Sequence, residues 1–203
     1  MFYTYQVNAL KRTELITPAE YLARELESKV KHEYVGGVVH AMSGGRNRHN
    51  RIATNVTGAL HSLLRGHRCQ AFNSDTKVRI QLATHTRFYY PDAMVVCQSN
   101  SEGDVYQDAP SVIVEVLSSS TRRVDAGEKR EGYLSIPSLS AYLMIEPELP
   151  AVVVYQRSEG GFVREIYEGL DSVVPLPELK LQLSLGEIYE RVEFGPEPED
   201  EES

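Results

Sequence analysis

The chain has 203 residues, 41% of them apolar and 25% charged, which is the mix of a globular domain with a full hydrophobic core. No apolar run approaches the roughly 20 residues that span a bilayer, so a membrane-spanning helix is excluded. A net charge of −8 argues against a broad, nonspecific nucleic-acid binder, although residues 194–203 carry five acids and no base and leave only −3 for residues 1–193.

This distribution predicts a single domain over 1–193 and a solvated acidic tail over 194–203. A second reading of the tail is a nucleic-acid mimic that covers a basic cleft. The N-terminal stretch has no basic region followed by an apolar one, so no secretory signal is expected. Cys69 and Cys97 have neither the number of a disulfide framework nor the spacing of a zinc site. Each lies in an apolar run and is expected to be a small core residue of an intracellular, cytoplasmic protein.

Thr17-Pro18-Ala19-Glu20 is the first structural signal: an N-cap, a proline at the first helical position and a capping box. It predicts a helix over 18–28. The stretch from Glu33 to Met42, with Gly36-Gly37 at its centre, reads as two short strands and a tight turn. A polar loop then feeds a longer helix over 48–65, whose Ile52, Val56, Leu60 and Leu64 recur at helical spacing. From Cys69 to Cys97 the pattern is of short strands, and Ala93–Cys97 is apolar enough to be buried on both faces.

Residues 111–117 form another apolar strand, interrupted only by Glu115. Ser118 to Thr121 suit the cap of a helix that runs to about 134 and stops before Ile136-Pro137. Strands follow at 141–145, 152–155 and 162–167, with a short helix near 184–191. This order predicts one mixed α/β domain with a central sheet flanked by helices.

Glu115 is the strongest chemical signal, because an isolated carboxylate in a buried strand costs several kcal/mol unless it is paired or metal-bound. Asp92, after Pro91, opens the strand Ala93–Cys97 and can face a cleft. As readings without catalysis, Glu115 is a salt-bridged structural acid and Asp92 a turn residue. Together, on neighbouring strands, two such carboxylates suit Mg²⁺ or Mn²⁺. No phosphate-binding loop, dinucleotide fingerprint or nucleophile elbow is present in the sequence, so no nucleotide cofactor is expected.

Pro91-Asp92 followed by Glu115-Val-Leu-Ser118, then Asp125, Lys129 and Tyr133, resembles the PD-(D/E)XK nuclease superfamily, and within it the Uma-type restriction endonuclease family. HEYVGGVVHAMSGGRNRHNRIA, YYPDAMVV and AYLMIEP carry the resemblance from about Thr17 to about Tyr189. It implies a restriction-endonuclease-like fold and a divalent-metal-dependent DNA endonuclease. Asp92, Glu115 and Lys129 would be catalytic. Asp92, Glu115 and the backbone carbonyl of Val116 (or Leu117) would hold the metal. The chain departs from the superfamily pattern where a lysine is expected two residues after the acid, since Leu117 stands there. In this family the lysine is shifted to the next helix, and Lys129 matches it. The alternative for Lys129 is an ordinary surface ion pair with Asp125.

Glu33 and His49 are possible additional members of the site. Arg46, Arg48 and Arg51 are candidates for nucleic-acid contact, or else a solvated helix face, and the same applies to Arg122, Arg123 and Arg130. Tyr89, Tyr90 and Tyr133 are expected in the core or at its rim. A homodimer is expected, because cutting both strands of a duplex takes two sites. The competing reading, motivated by Leu117 and the acidic charge, is a nuclease-fold protein that binds nucleic acid or a protein partner without cleaving.

Overall fold

The computed structural model describes residues 15–118 and 122–195. Helix α1 spans Pro18–Glu27. Its capping box forms as its sequence dictates: Glu20 N–H donates to Thr17 Oγ1, and Thr17 N–H donates to the Glu20 carboxylate at 2.8 Å. Strands β1 (His32–Val35) and β2 (Val38–Ala41) pair antiparallel across Gly36-Gly37. Both glycines take positive φ, 55° and 105°, as a two-residue hairpin turn requires.

Helix α2 spans Asn47–Leu63 and buries Ile52, Val56 and Leu60. Four strands follow: β3 (Gln70–Asn73), β4 (Lys77–Gln81), β5 (Thr86–Tyr89) and β6 (Ala93–Val96). The short β7 (Tyr106–Gln107) precedes the long β8 (Pro110–Val116). Helix α3 is composite: an α-turn at Arg122–Val124, a π-helical turn at Asp125–Lys129 and an α-turn at Arg130–Leu134. The remaining elements are β9 (Ala141–Ile145), β10 (Ala151–Ser158), β11 (Gly161–Glu168), β12 (Val173–Leu176), a 3₁₀ turn at Pro177–Leu179, β13 (Leu181–Ser184) and α4 (Leu185–Ile188).

The central sheet has six strands in the order β11-β10-β9-β8-β6-β3. Within it β8 and β9 run parallel and are joined through α3, while the other pairs are antiparallel. A second sheet has the order β2-β1-β5-β4-β7. The two faces of the central sheet belong to different cores. Val95, Val114 and Val116 pack with Ile52, Val56 and Leu60 of α2. Met94, Ile113 and Tyr142 pack with Val78, Ile80 and Tyr89 of the second sheet and Tyr133 of α3. Burial on both faces explains the continuous apolar runs of β6, β8 and β9.

Two expectations need correction. Cys69 and Cys97 are bonded to each other, with Cα atoms 3.9 Å apart, rather than being separate core thiols. The pairing of Gln70 with Val96 explains it: one step further along this antiparallel pair sets Cys69 directly opposite Cys97. The cysteines therefore give no support for a reducing compartment. The closing helix is a single turn at Leu185–Ile188, preceded by the β12–β13 hairpin, which the sequence patterning did not signal. Of the cap expected at Ser118 to Thr121, only Ser118 falls within the described residues, and the acidic tail after Gly195 lies outside them. No helix among the described residues is long and apolar enough to cross a membrane.

Candidate active site

Strand alternation turns Ile113 and Leu117 toward the core shared with α3, and Glu115 falls on that same side. Glu115 is 4% exposed. The pairing of Ala93 with Val114 continues by one residue to set Asp92 opposite Glu115. Asp92 is fixed twice: its Oδ2 accepts from the Val116 N–H at 2.7 Å, and its Oδ1 lies 3.0 Å from His49 Nε2 at the start of α2.

Lys129 enters from the π-helical turn and is 5% exposed. Its Nζ lies 2.8 Å from Glu33 Oε1, 3.4 Å from Glu115 Oε1 and 3.5 Å from Asp125 Oδ1. One α-turn later, Tyr133 donates its hydroxyl to Glu115 Oε1 at 2.7 Å. A surface ion pair between Lys129 and Asp125 is ruled out, since both are buried. The structure thus gathers Glu33, Glu115, Asp125 and Lys129 from β1, β8 and α3 with Asp92 from the entry to β6.

Three carboxylates about one lysine, with Asp92 set opposite Glu115, make a cluster rich in negative charge. Burial pushes the Glu115 carboxyl well above the usual range; Lys129 opposes this, and Asp125, Asp92 and Glu33 add to it. Burial alone would lower Lys129, but attraction by Glu115, Glu33 and Asp125 outweighs it and holds the ammonium charged. Tyr133 is raised by burial and by Glu115, so its phenol stays neutral and keeps the proton it donates to Glu115.

Two cavities reach the cluster. One of about 230 Å³ is lined by Glu33, Tyr89, Asp125 and Lys129. The other, about 550 Å³, runs between α2 and β3 and ends at Asp92. Arg48 and Arg51, expected at a nucleic-acid interface, donate to the backbone carbonyls of Gly195 and Arg191 and so tie the C-terminal segment to α2. Phe194 of that segment packs on Tyr189, with ring centres 5.4 Å apart. Arg46 is the N-cap residue of α2. Arg122 forms a two-pronged pair with Glu146, and Arg130 reaches the Tyr155 hydroxyl. Tyr89 and Tyr90 are buried, and the Tyr90 N–H donates to Glu33.

Sequence reasoning missed the structural work of Tyr133 and Asp125 in this cluster. The signal was their spacing of four on either side of Lys129, which aligns all three if the helix face is turned inward. It also missed the His49–Asp92 contact, for which no local pattern exists.

The donor set can be weighed against a divalent cation. Among the described residues no three His, Cys, Asp or Glu side chains converge as a metal-binding group. The available set is therefore two opposed carboxylates and nearby backbone carbonyls, with solvent to complete the shell, which fits Mg²⁺ or Mn²⁺ better than zinc. Among the described residues no hydrogen bond engages Glu115 Oε2, and each Asp92 oxygen keeps a lone pair beyond its one contact.

A mixed sheet flanked by helices, with an acid at the mouth of one strand and another inside its neighbour, defines the restriction-endonuclease-like class of folds. The chain belongs to the Uma2 family, whose model, described as "Putative restriction endonuclease", matches residues 18–186. Two relatives from Synechocystis sp. (strain ATCC 27184 / PCC 6803 / Kazusa) are similar over most of its length. Uncharacterized protein sll1609 is 34% identical over 148 residues, covering 71% of this chain and 82% of that protein. Uncharacterized protein slr1290 is 30% identical over 181 residues, covering 88% of this chain and 94% of that protein. A crystal structure of "a putative nuclease belonging to DUF820" from Anabaena variabilis ATCC 29413 superposes with a TM-score of 0.67, covering 86% of this chain and 97% of that one. At 21% identity this last likeness is one of fold.

Proposed function

We propose that the protein is a divalent-metal-dependent endonuclease that hydrolyses DNA phosphodiester bonds. The observation that carries this reading is the buried excess of acid around Lys129, with Asp92 set opposite Glu115. Such an arrangement destabilises the fold unless added positive charge offsets it.

Asp92 and Glu115, with the Val116 carbonyl, would hold Mg²⁺ or Mn²⁺. When bound, the cation would neutralise charge on the scissile phosphate and lower the pKa of the attacking water. The chain's own groups do the rest. Lys129, kept charged by its acids, compensates negative charge that develops on the phosphoryl oxygens. Tyr133 and the Val116 N–H fix the two carboxylates in place, and His49 holds Asp92 from the side of α2. Glu33 anchors Lys129 and leaves its ammonium one orientation rather than several.

A second reading is favoured by Leu117, a buried apolar residue at the superfamily's usual lysine position: a nuclease fold that binds without cutting. The test compares wild type and Glu115→Ala on supercoiled plasmid, single-stranded DNA and a branched substrate, in Mg²⁺, Mn²⁺ and EDTA. Metal-dependent cleavage that disappears in the variant supports the enzyme. Folded wild-type protein that cuts none of these substrates supports the binding module.

A further inference from the structure

We infer that the groove between α2 and β3 is a nucleobase-binding track for unpaired nucleotides next to the scissile phosphate, so that the substrate is a single strand or a locally opened duplex. This inference rests on the nuclease reading for its placement of the phosphate at Asp92.

The groove is about 550 Å³ and ends on Asp92. Asp92 is the part of the acidic cluster nearest this opening, while Glu115 and Lys129 lie deeper at 4% and 5% exposure. A chain whose phosphate sits at Asp92 therefore lays its adjoining nucleotide along α2. The walls have a definite chemistry: Asn50, Thr54, Thr57 and His61 from α2 face Asn73 and Ser74 at the end of β3. No lysine or arginine is among the groove-lining residues. Phosphates are gripped mainly by cations, so these walls are poorly suited to the backbone. Neutral amides and hydroxyls suit base edges, and an asparagine amide can engage a base through two hydrogen bonds.

The polar atoms are partly committed in a way that favours acceptors. The Thr54 and Thr57 hydroxyls donate to the Asn50 and Ala53 carbonyls of their own helix, and Asn50 donates its amide to Gly45 O. What these groups offer to the groove is mainly oxygen lone pairs, which complement the amino groups of bases. Size makes the same distinction. The helix and strand that form the walls pack directly on each other. A space of this volume is in the range of small-molecule pockets and takes about one or two nucleotides. In a duplex only the groove edges of the bases are exposed, and the stacked, paired bases cannot be inserted whole into such a space.

Gly58 offers a direct test, because a Cβ built there meets no atom within 4 Å. Gly58→Leu therefore plugs the groove from an exposed helix position, and replacing a mid-helix glycine strengthens α2. His61→Ala, at another exposed position, is a second variant that leaves the core intact. Binding is measured in EDTA by anisotropy of one labelled oligonucleotide, single-stranded and as a duplex, over a range of salt, alongside melting and plasmid or oligonucleotide cleavage. The expected result is tighter binding of the single strand with a shallow salt dependence. It includes a loss of about tenfold in Gly58→Leu and a smaller loss in His61→Ala, with melting temperature unchanged or raised. Equal binding by Gly58→Leu, preference for the duplex, or no binding of either form by wild type overturns the inference. Wild type that binds the single strand through the groove but never cleaves keeps the inference and overturns the nuclease reading.

Discussion

Lys129 Nζ lies 2.8 Å from Glu33 Oε1, closer than to Glu115 or Asp125. The β1 hairpin, remote in sequence, therefore completes the charge cluster of α3 and β8. Removing the lysine leaves the buried Glu115 and Asp125 and the partly buried Glu33 without their shared cation. Lys129→Ala should cost about 3–5 kcal/mol of stability in EDTA, because the acids it bridges lose their shared cation. Added Mg²⁺ should recover part of that loss. Thermal melting with and without metal reads this directly, and a variant that melts like wild type in EDTA would mean the cluster is not charged as described. Glu33→Gln keeps the shape and should lower turnover about tenfold or more through misplacement of the ammonium, with KM for DNA little changed.

Tyr133 contributes a single hydroxyl, and its removal is the mildest change the site permits. Tyr133→Phe leaves the ring packed against Tyr89 and Tyr142 and deletes only the donor to Glu115. The expected cost is about 1–3 kcal/mol, because a buried acceptor loses its hydrogen bond inside the core. Cleavage should fall with the conformational freedom that Glu115 gains. Denaturant melts and single-turnover rates on the same preparation test it; loss of stability without loss of rate would make Tyr133 a purely structural residue.

Glu115 was legible in the sequence because a charge inside Val-Ile-Val-Glu-Val-Leu breaks the apolar pattern of a strand buried on both faces. The α1 cap, the Gly36-Gly37 turn and the buried stripe of α2 were legible because each rests on residues within a few positions of one another. Lys129 was not legible as buried: four-residue spacing to Asp125 is the same on an exposed helix face and a buried one. The π-helical turn depends on how α3 seats against β4 and β5. Gly132 permits that close approach, since a Cβ there would lie 3.2 Å from Arg87 and from Ile80. Nor could spacing reveal that Arg48 and Arg51 hold carbonyls more than a hundred residues away, which makes them look like free cations in a sequence.

The Cys69–Cys97 bond closes a loop of 28 residues that contains all of β4 and β5. Constraining a loop of that length in the unfolded chain is worth about 3–4 kcal/mol. Reduction, or Cys69→Ser with Cys97→Ser, should lower the melting temperature while leaving the Asp92–Glu115 register in place. Alkylation of unreduced, unfolded protein followed by mass spectrometry should find no free thiol. Two alkylated cysteines would show that the pair stays reduced, and its stabilising effect would then be absent.

Glu115 also sets a pH dependence whose sign can be worked out. In the unfolded chain its carboxyl ionises in the ordinary range; in the folded, metal-free protein burial raises it well above that, and Asp125, Asp92 and Glu33 outweigh part of the help from Lys129. The folded state therefore holds a proton that the unfolded state has lost. Where the unfolded state binds fewer protons, stability falls as pH rises. In EDTA the wild type should lose stability from about pH 4.5 upward until Glu115 ionises in the fold. Glu115→Gln keeps an acceptor for Tyr133, removes that slope and should melt higher than wild type at neutral pH. Mg²⁺ should do the opposite to the two proteins: it should stabilise the wild type increasingly as pH rises, because it binds the ionised carboxylate, and leave the variant almost unchanged. Melting curves across pH 5–8, each with EDTA and with Mg²⁺, separate these cases. A wild-type protein whose stability is flat across this range and indifferent to Mg²⁺ would show that Glu115 is already ionised in the fold, as in the unfolded chain, and that no cation binds beside it.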